Sequence, residues 1–288
     1  MRFFTIPVLL ECIVLFFSSC QKEVDWSDPV AGQDSIYMKK YIVIDTTEPS
    51  GADTIRIFDF NYNAQKRLSG YIHTIYTPGI SGPARIRAIL TYSYTYPGSD
   101  TLPSRIIENI NDLLIPSNNI TDTFYYFYQN GMVIKDSSGN ASEYFVDEIM
   151  KLSPTRTLLR QQNLVPPFGL STDTTYIYTS WLNGNLVRET DSLWMPSLGF
   201  YDITDNTVNY DNKPNPFRRL VLPYTIPYNN DIFGTSLEGI APPTLNNIIF
   251  FDQDGSTLTS RYQYRADGYP VIGWDDDGAK CFYQYTRL

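Results

Sequence analysis

Short segments in which aromatic or β-branched residues alternate with polar ones recur along the chain. Phe58-Asp59-Phe60-Asn61-Tyr62-Asn63 puts three rings on one face and three polar side chains on the other, and Thr91 to Tyr96 repeats the pattern before Pro97-Gly98. Phe124 to Gln129 runs into Asn130-Gly131, Met132 to Ile134 leads to Ser138-Gly139-Asn140, and Tyr176 to Trp181 runs into Asn183-Gly184-Asn185. Ile248 to Phe251 reaches Asp252-Gln253-Asp254-Gly255, Arg261 to Arg265 reaches Asp267-Gly268, and Val271 to Trp274 and Lys280 to Tyr285 flank Asp275-Asp276-Asp277-Gly278. Asn-Gly and Asp-Gly between such runs predict hairpins, because both central residues of a tight I′ turn need positive φ. Consecutive hairpins form a meander whose edges must be twisted, covered or closed. The predicted class is therefore all-β: an antiparallel meander forming a strongly twisted sheet or a closed or partly closed barrel. Helical spacing occurs at Ser104 to Leu114, before Pro116, and ambiguously at Ser142 to Leu152, so at most one or two short helices are expected.

Composition narrows the class further. Of 288 residues, 42% are hydrophobic, enough to build a core, and Tyr (23) and Phe (16) dominate the aromatics, which suits half-wet, half-buried strands. The net charge of -9 offers no footprint for a phosphate backbone, so no nucleic-acid partner is expected. A single histidine, His73, excludes multi-histidine metal sites and HExxH chemistry; alternation with Tyr71 and Ile75 makes it a partly buried strand residue. With no glycine-rich phosphate loop and no βαβ rhythm, no cofactor is expected.

The N-terminus reads as an address. Met1-Arg2, an apolar run from Phe3 to Phe17, and Ser18-Ser19 before Cys20 have the layout of a secretory signal, with Cys20 resembling the lipid-modified first residue of a bacterial lipoprotein. The expected organisation is a signal peptide over 1–19, a lipidated Cys20 with a flexible tether over 20–35, and a single β domain over 36–288. Acyl chains on Cys20 would make membrane attachment stable. Removal of Cys12 and acylation of Cys20 leave Cys281 alone, so no intramolecular disulfide is expected, and Cys281 reads as a buried structural thiol.

A loose repeat of aromatic-x-aromatic followed by a turn starts near Phe60, Tyr94, Tyr126, Tyr178 and Tyr262. Phe58 to Tyr62, Asp211-Asn212-Lys213-Pro214-Asn215-Pro216-Phe217 and Tyr262-Gln263-Tyr264-Arg265-Ala266-Asp267-Gly268-Tyr269-Pro270 resemble stretches of uncharacterised Bacteroidetes lipoproteins with an antiparallel, porin-like sheet. The last stretch is also similar to the YD repeats of large secreted bacterial proteins. The short segment Cys20 to Asp25 is similar to the acidic signal that exports such lipoproteins to the cell surface, interrupted here by Val24. The resemblance implies a fold, an outer-membrane location facing the periplasm or the cell exterior, and no catalytic residue.

Candidate chemistry is sparse. Trp181, Trp194 and Trp274 lie beside turns, where flat rings stack on sugars, and are the candidate ligand-binding residues. Asp252, Asp254, Asp275 and Asp277 offer oxygen ligands to Ca²⁺ but lack the rest of an EF-hand loop, so they read as acidic turns and no metal site is expected. Glu143, Asp147 and Glu148 sit among apolar neighbours and are the carboxylates a glycosidase reading would draw on. Asp-Ser/Thr followed by an apolar residue or Thr, the pattern of a Bacteroidetes O-glycosylation acceptor, occurs at Ser35, Thr46, Thr54, Thr101, Thr174 and Ser192; Asp-Thr also suits turn-to-strand junctions. The expectation is a non-enzymatic, lipid-anchored envelope protein with a binding or structural role, glycan binding in polysaccharide uptake being its sharpest form. The alternatives are an Asp/Glu-dependent glycoside hydrolase and an accessory subunit of an outer-membrane transporter or adhesin.

Overall fold

The structure, a computed structural model, describes residues 36–45, 54–77, 84–98, 102–129, 132–139, 144–153, 155–165, 169–195, 199–218, 220, 244–276 and 278–288. The predicted signal peptide and tether lie outside these residues.

Sixteen strands follow one another in chain order. The first eight are β1 (Ile36–Asp45), β2 (Thr54–Tyr62), β3 (Leu68–Thr77), β4 (Arg85–Thr95), β5 (Arg105–Asp112), β6 (Ile120–Gln129), β7 (Met132–Gly139) and β8 (Tyr144–Ser153). The second eight are β9 (Arg156–Val165), β10 (Gly169–Leu182), β11 (Asn185–Met195), β12 (Phe200–Pro214), β13 (Asn246–Gln253), β14 (Ser256–Tyr264), β15 (Pro270–Asp275) and β16 (Lys280–Arg287). Each pairs antiparallel with its neighbours, and β1 pairs with β16 from Ile36–Arg287 to Ile44–Lys280, so the meander closes into a barrel. Closure removes both sheet edges. The tight turns follow the glycine signals: Asn183 and Gly184 take φ of 52° and 78°, and Asp254 and Gly255 take 49° and 87°.

The helical spacing at Ser104 to Leu114 is corrected by the structure, because this segment contains β5. Ile106, Glu108, Ile110 and Asp112 share one face, Ile107 sits on the other, and isoleucines on both faces of a strand imitate a helical period. The ambiguous Ser142 to Leu152 segment likewise holds most of β8. Among the described residues the helical element is one 3-10 turn, Pro116–Asn118.

Residues two apart share a face, and one face is packed. Val43, Phe60, Ile106, Leu159, Ile177 and Cys281 are 0% exposed. The other face carries Ile72, Tyr125, Phe127, Met150, Tyr178 and Ile203 in the open, together with the ion pairs Lys40–Asp59, Glu148–Arg160 and Arg188–Asp205. The packed face is the inside of the barrel. Rings fill it across strands: Tyr71 stacks on Tyr92 at 4.0 Å, Phe58 on His73 at 4.0 Å, and Tyr41 lies 5.1 Å from Tyr283. Stacked pairs of this kind add about 0.5–1.5 kcal/mol beyond the area they bury. Gly273 makes room for one of them, since a Cβ there would meet the Tyr262 ring at 3.0 Å.

The aromatic repeat has a structural counterpart. Six tyrosines at the ends of even-numbered strands donate their hydroxyls to backbone carbonyls at or near the start of the preceding strand. These are Tyr62 to Met38, Tyr96 to Leu68, Tyr128 to Pro103, Tyr210 to Leu186, Tyr262 to Ile248 and Tyr285 to Pro270, at 2.6–2.8 Å. Register shifts fall at Tyr62, Tyr128, Trp181, Tyr210 and Tyr264, so the ladder bulges where these side chains turn inward. The motifs carrying the lipoprotein resemblance interlock at this end. Asn215 Oδ1 accepts from Phe217 N at 2.9 Å and turns the chain inward after β12, placing the Phe217 ring 5.0 Å from Tyr41. Tyr264 donates to Asp211, and Arg218 donates to the Tyr269 hydroxyl at 3.1 Å.

Tyr62→Phe, Tyr128→Phe and Tyr210→Phe keep the ring and orphan a carbonyl. Each is expected to cost about 1–2 kcal/mol in chemical denaturation, with an unchanged far-ultraviolet dichroism spectrum. His73, stacked on Phe58, has its pKa lowered to about 3 by burial, with Arg56 adding to the effect. Its neutral form is the folded one, so its contribution to stability is complete above pH 6.5 and is lost as pH falls towards 3. As the chain's lone imidazole, its proton NMR signal is expected to stay at the neutral position through pH 5; a midpoint near 6.5 would contradict the packing.

Candidate functional site

The inner wall changes character around the barrel. From β16 through β6 it is built mainly of rings, whereas from β7 through β12 acids, amides and threonines are interspersed. Asp136 on β7 faces Asp147 on β8 directly. Burial, and then the Asp147 carboxyl, push the Asp136 carboxyl well above its ordinary range. Next along the wall, Thr157 and Thr179 share a hydrogen bond, and the Trp181 indole donates to Thr179 at 3.0 Å.

The second acidic group lies on β11. Glu189, 2% exposed, sits between Thr179 and Asn206 in register, and Asp191, two residues on and facing the same way, lies opposite Thr204. Asn206 Nδ2 donates to Glu189 Oε1 at 3.3 Å. Burial first, and the Asp191 carboxylate second, raise the Glu189 pKa from 4.5 to about 8, against the opposing Asn206 bond; burial raises Asp191 to about 6. Glu108 is a further buried acid, 1% exposed, and accepts from the Tyr92 hydroxyl.

The three tryptophans do not converge. Trp181 is buried on the inner wall, near the end of the barrel where β1 begins. Trp194 and Trp274 are half-buried on the outer face, near the opposite end and four strands apart. Trp194 packs against Tyr201 at 4.9 Å, and Trp274 pairs in register with Arg261 and Lys280. The acidic turns are tied to backbone amides: Asp252 accepts from Gly255 N at 2.8 Å and Asp275 from Ala279 N at 2.9 Å within their own turns, and Asp254 accepts from Asp205 N on β12 at 3.1 Å. Among the described residues no three His, Cys, Asp or Glu side chains gather to hold a metal.

Asp147 faces inward, and Glu148 faces outward in its ion pair with Arg160 at 2.6 Å. Of the glycosylation candidates, Ser192 is a half-buried residue on the outer face of β11, Thr54 opens β2 and Thr174 lies within β10. Cys20, Ser35, Thr46, Thr101, Asp277, Glu143 and the Asn130-Gly131 turn lie outside the described residues. Cys281 is buried 2.9 Å from the Tyr41 hydroxyl.

Asp136, Glu189, Asp191 and Asn206 were not singled out from sequence. Arg188-Glu189-Thr190-Asp191 is polar at every position, so alternation cannot say which side is wet; only the register of a closed sheet does.

No protein-family model and no curated protein matches the chain. Solved structures do resemble it in fold. One is described as a porin-like protein from Bacteroides uniformis, with 13% identity, a TM-score of 0.53, and coverage of 86% of this chain and 96% of that one. Another, a porin-like protein from Bacteroides vulgatus, has 12% identity, a TM-score of 0.53, and coverage of 88% and 99%.

Because Glu189 is held protonated in the fold, linkage gives a definite sign: stability falls as pH rises from 4.5 towards 8. Glu189→Gln removes that slope. In a chelator-containing buffer the variant is expected to gain on the parent steadily between pH 5 and 8 in thermal unfolding; parallel curves would show that the acid is not held protonated. The closed antiparallel barrel shared with porin-like proteins of Bacteroides, lined here by rings and buried acids, is the frame in which function must be read.

Proposed function

We propose that the chain is a cell-envelope protein, anchored in a membrane through acylated Cys20, whose barrel works in water as a binding module. The observation that carries this reading is the sense of the barrel's two faces. A barrel that spans lipid shows an apolar band outward and a polar lumen, and charges at its lipid-facing midplane cost about 2–4 kcal/mol for Arg or Lys. This barrel departs from that pattern in carrying ion pairs among the outward apolar side chains and a packed inner face. Its outer face holds Lys40–Asp59, Glu148–Arg160 and Arg188–Asp205 at 3.0, 2.6 and 2.8 Å within the strands, while its inner face holds the fully buried rings and aliphatic residues.

The topology supports the direction of display. β1 begins at Ile36, so a tether from Cys20 would leave one end of the barrel, while Trp194, Tyr201 and Trp274 lie towards the other. We read those outward rings as a glycan-contacting surface, with neighbouring polar side chains available to sugar hydroxyls. The role is binding without turnover. A hydrolase would instead draw on Asp136–Asp147 or Glu189–Asp191, the inward acid pairs.

The full chain with Cys20→Ala is expected to leave the membrane fraction and to remain soluble without detergent, whereas the parent incorporates radiolabelled palmitate. Retention of the variant in the membrane, or single-channel conductance by the parent in planar bilayers, would overturn the water-facing reading. On a glycan array the soluble variant is expected to bind without releasing product, and Trp194→Ala or Trp274→Ala to weaken binding roughly tenfold. Product release would favour the hydrolase, and an unbound array would end the glycan reading.

A further inference from the structure

Three oxygen-bearing side chains share the inner face of β11 and β12 with no Lys or Arg facing them from the adjoining strands. Glu189 and Asn206 are opposite in register, each 2% exposed, and Asp191 follows two residues on along the same face. The Asn206 amide is fixed against the carboxylate by its Nδ2, 3.3 Å from Glu189 Oε1. Its Oδ1 has no hydrogen-bond partner, and neither does Asp191 Oδ1, although both atoms are buried. An unsatisfied buried acceptor costs about 1–3 kcal/mol, and more beside an uncompensated charge.

The flanking strands supply no cation. Facing inward from β10 are Thr175, Ile177, Thr179 and Trp181, and from β12 Thr204, Asn206, Val208 and Tyr210. The guanidinium of Arg188, the residue before Glu189, is on the outer face with both Nε and Nη2 bound to Asp205 at 2.8 Å. Two of the neighbouring hydroxyls are committed elsewhere: Tyr210 donates to Leu186 O, and Thr179 is engaged with Thr157 and Trp181.

We propose that Glu189, Asp191 and Asn206 Oδ1 form a binding site for a hard divalent cation such as Ca²⁺, with water completing its shell. Donors that are all oxygen suit Ca²⁺, which takes six to eight such ligands, and exclude the nitrogen and sulfur ligands that softer metals select. Half-buried Asp191 gives the ion its way in. Only two carboxylates contribute, so affinity is weak, with Kd about 10⁻⁴–10⁻³ M, the range of extracellular Ca²⁺ modules. The site is independent of the outward glycan surface and of the acidic turns at Asp252 and Asp275.

The full chain carrying Cys20→Ala, stripped with chelator, is the material for the test. Titration with Ca²⁺ is expected to raise Tm saturably, and Tb³⁺ to luminesce when the protein's rings are excited, displaced by excess Ca²⁺. Glu189→Gln and Asp191→Asn are each expected to weaken both responses roughly tenfold or more, whereas Asp252→Asn and Asp136→Asn leave them unchanged. The metal-free melt of each variant serves as its folding control. The proposal is overturned if the parent shows neither response, if both site variants respond like the parent, or if Asp252→Asn or Asp136→Asn abolishes the response in their place.

Discussion

Closing sixteen strands creates an interior wide enough for a water-filled channel. This chain fills the inner face it presents, and the means is the tyrosine ring with its hydroxyl anchored on backbone. A phenylalanine would supply the same apolar area but leave the carbonyls at the strand starts without a donor. Tyrosine does both: the ring enters the packed layer and the hydroxyl reaches back to the preceding strand. Repeated six times from Tyr62 to Tyr285, this bond ties six of the successive strand pairs together at the same end of the barrel, the end where bulges would otherwise loosen the ladder.

The rest of the interior follows from that arrangement. Where the rings meet, as between Tyr41, Phe58, Phe217 and Tyr283, the wall is apolar and titrating groups within it are forced neutral, as His73 is. Across β7 to β12 the rings thin out, and acids and amides take their places on the same inward positions. An acid there has lost its water without gaining a basic partner, which is why Glu189 and Asp136 hold their protons so far above the ordinary carboxylate range. A fold can tolerate such groups at a cost in stability, and their concentration on one wall is the polarity in the interior that packing alone does not call for.

Topology and surface chemistry are separable in barrels. Strand number, antiparallel order and closure are common to this chain and the porin-like proteins it resembles, at 12–13% identity. Which face is apolar is set residue by residue, by whether the odd or even positions of each strand carry the rings. In this chain the fully buried rings, Tyr41, Phe60 and Tyr71 among them, turn inward and the ion pairs Lys40–Asp59, Glu148–Arg160 and Arg188–Asp205 turn outward.

The alternations, the Asn-Gly and Asp-Gly turns and the scarcity of helix were legible locally, because the period of two and the positive φ of a tight turn are properties of a few adjacent residues. That sufficed for the all-β meander and for its hairpins, including those at Asn183-Gly184 and Asp254-Gly255. It misread Ser104 to Leu114, where isoleucines on both faces of one strand imitate a helix. Closure, the pairing of β1 with β16, and the meeting of Glu189 with Asn206 were decided only in the tertiary structure. Those contacts join residues whose separation in sequence carries no local signature, and a polar run such as Arg188 to Asp191 acquires an inside and an outside only when the sheet curls and one of its faces loses water.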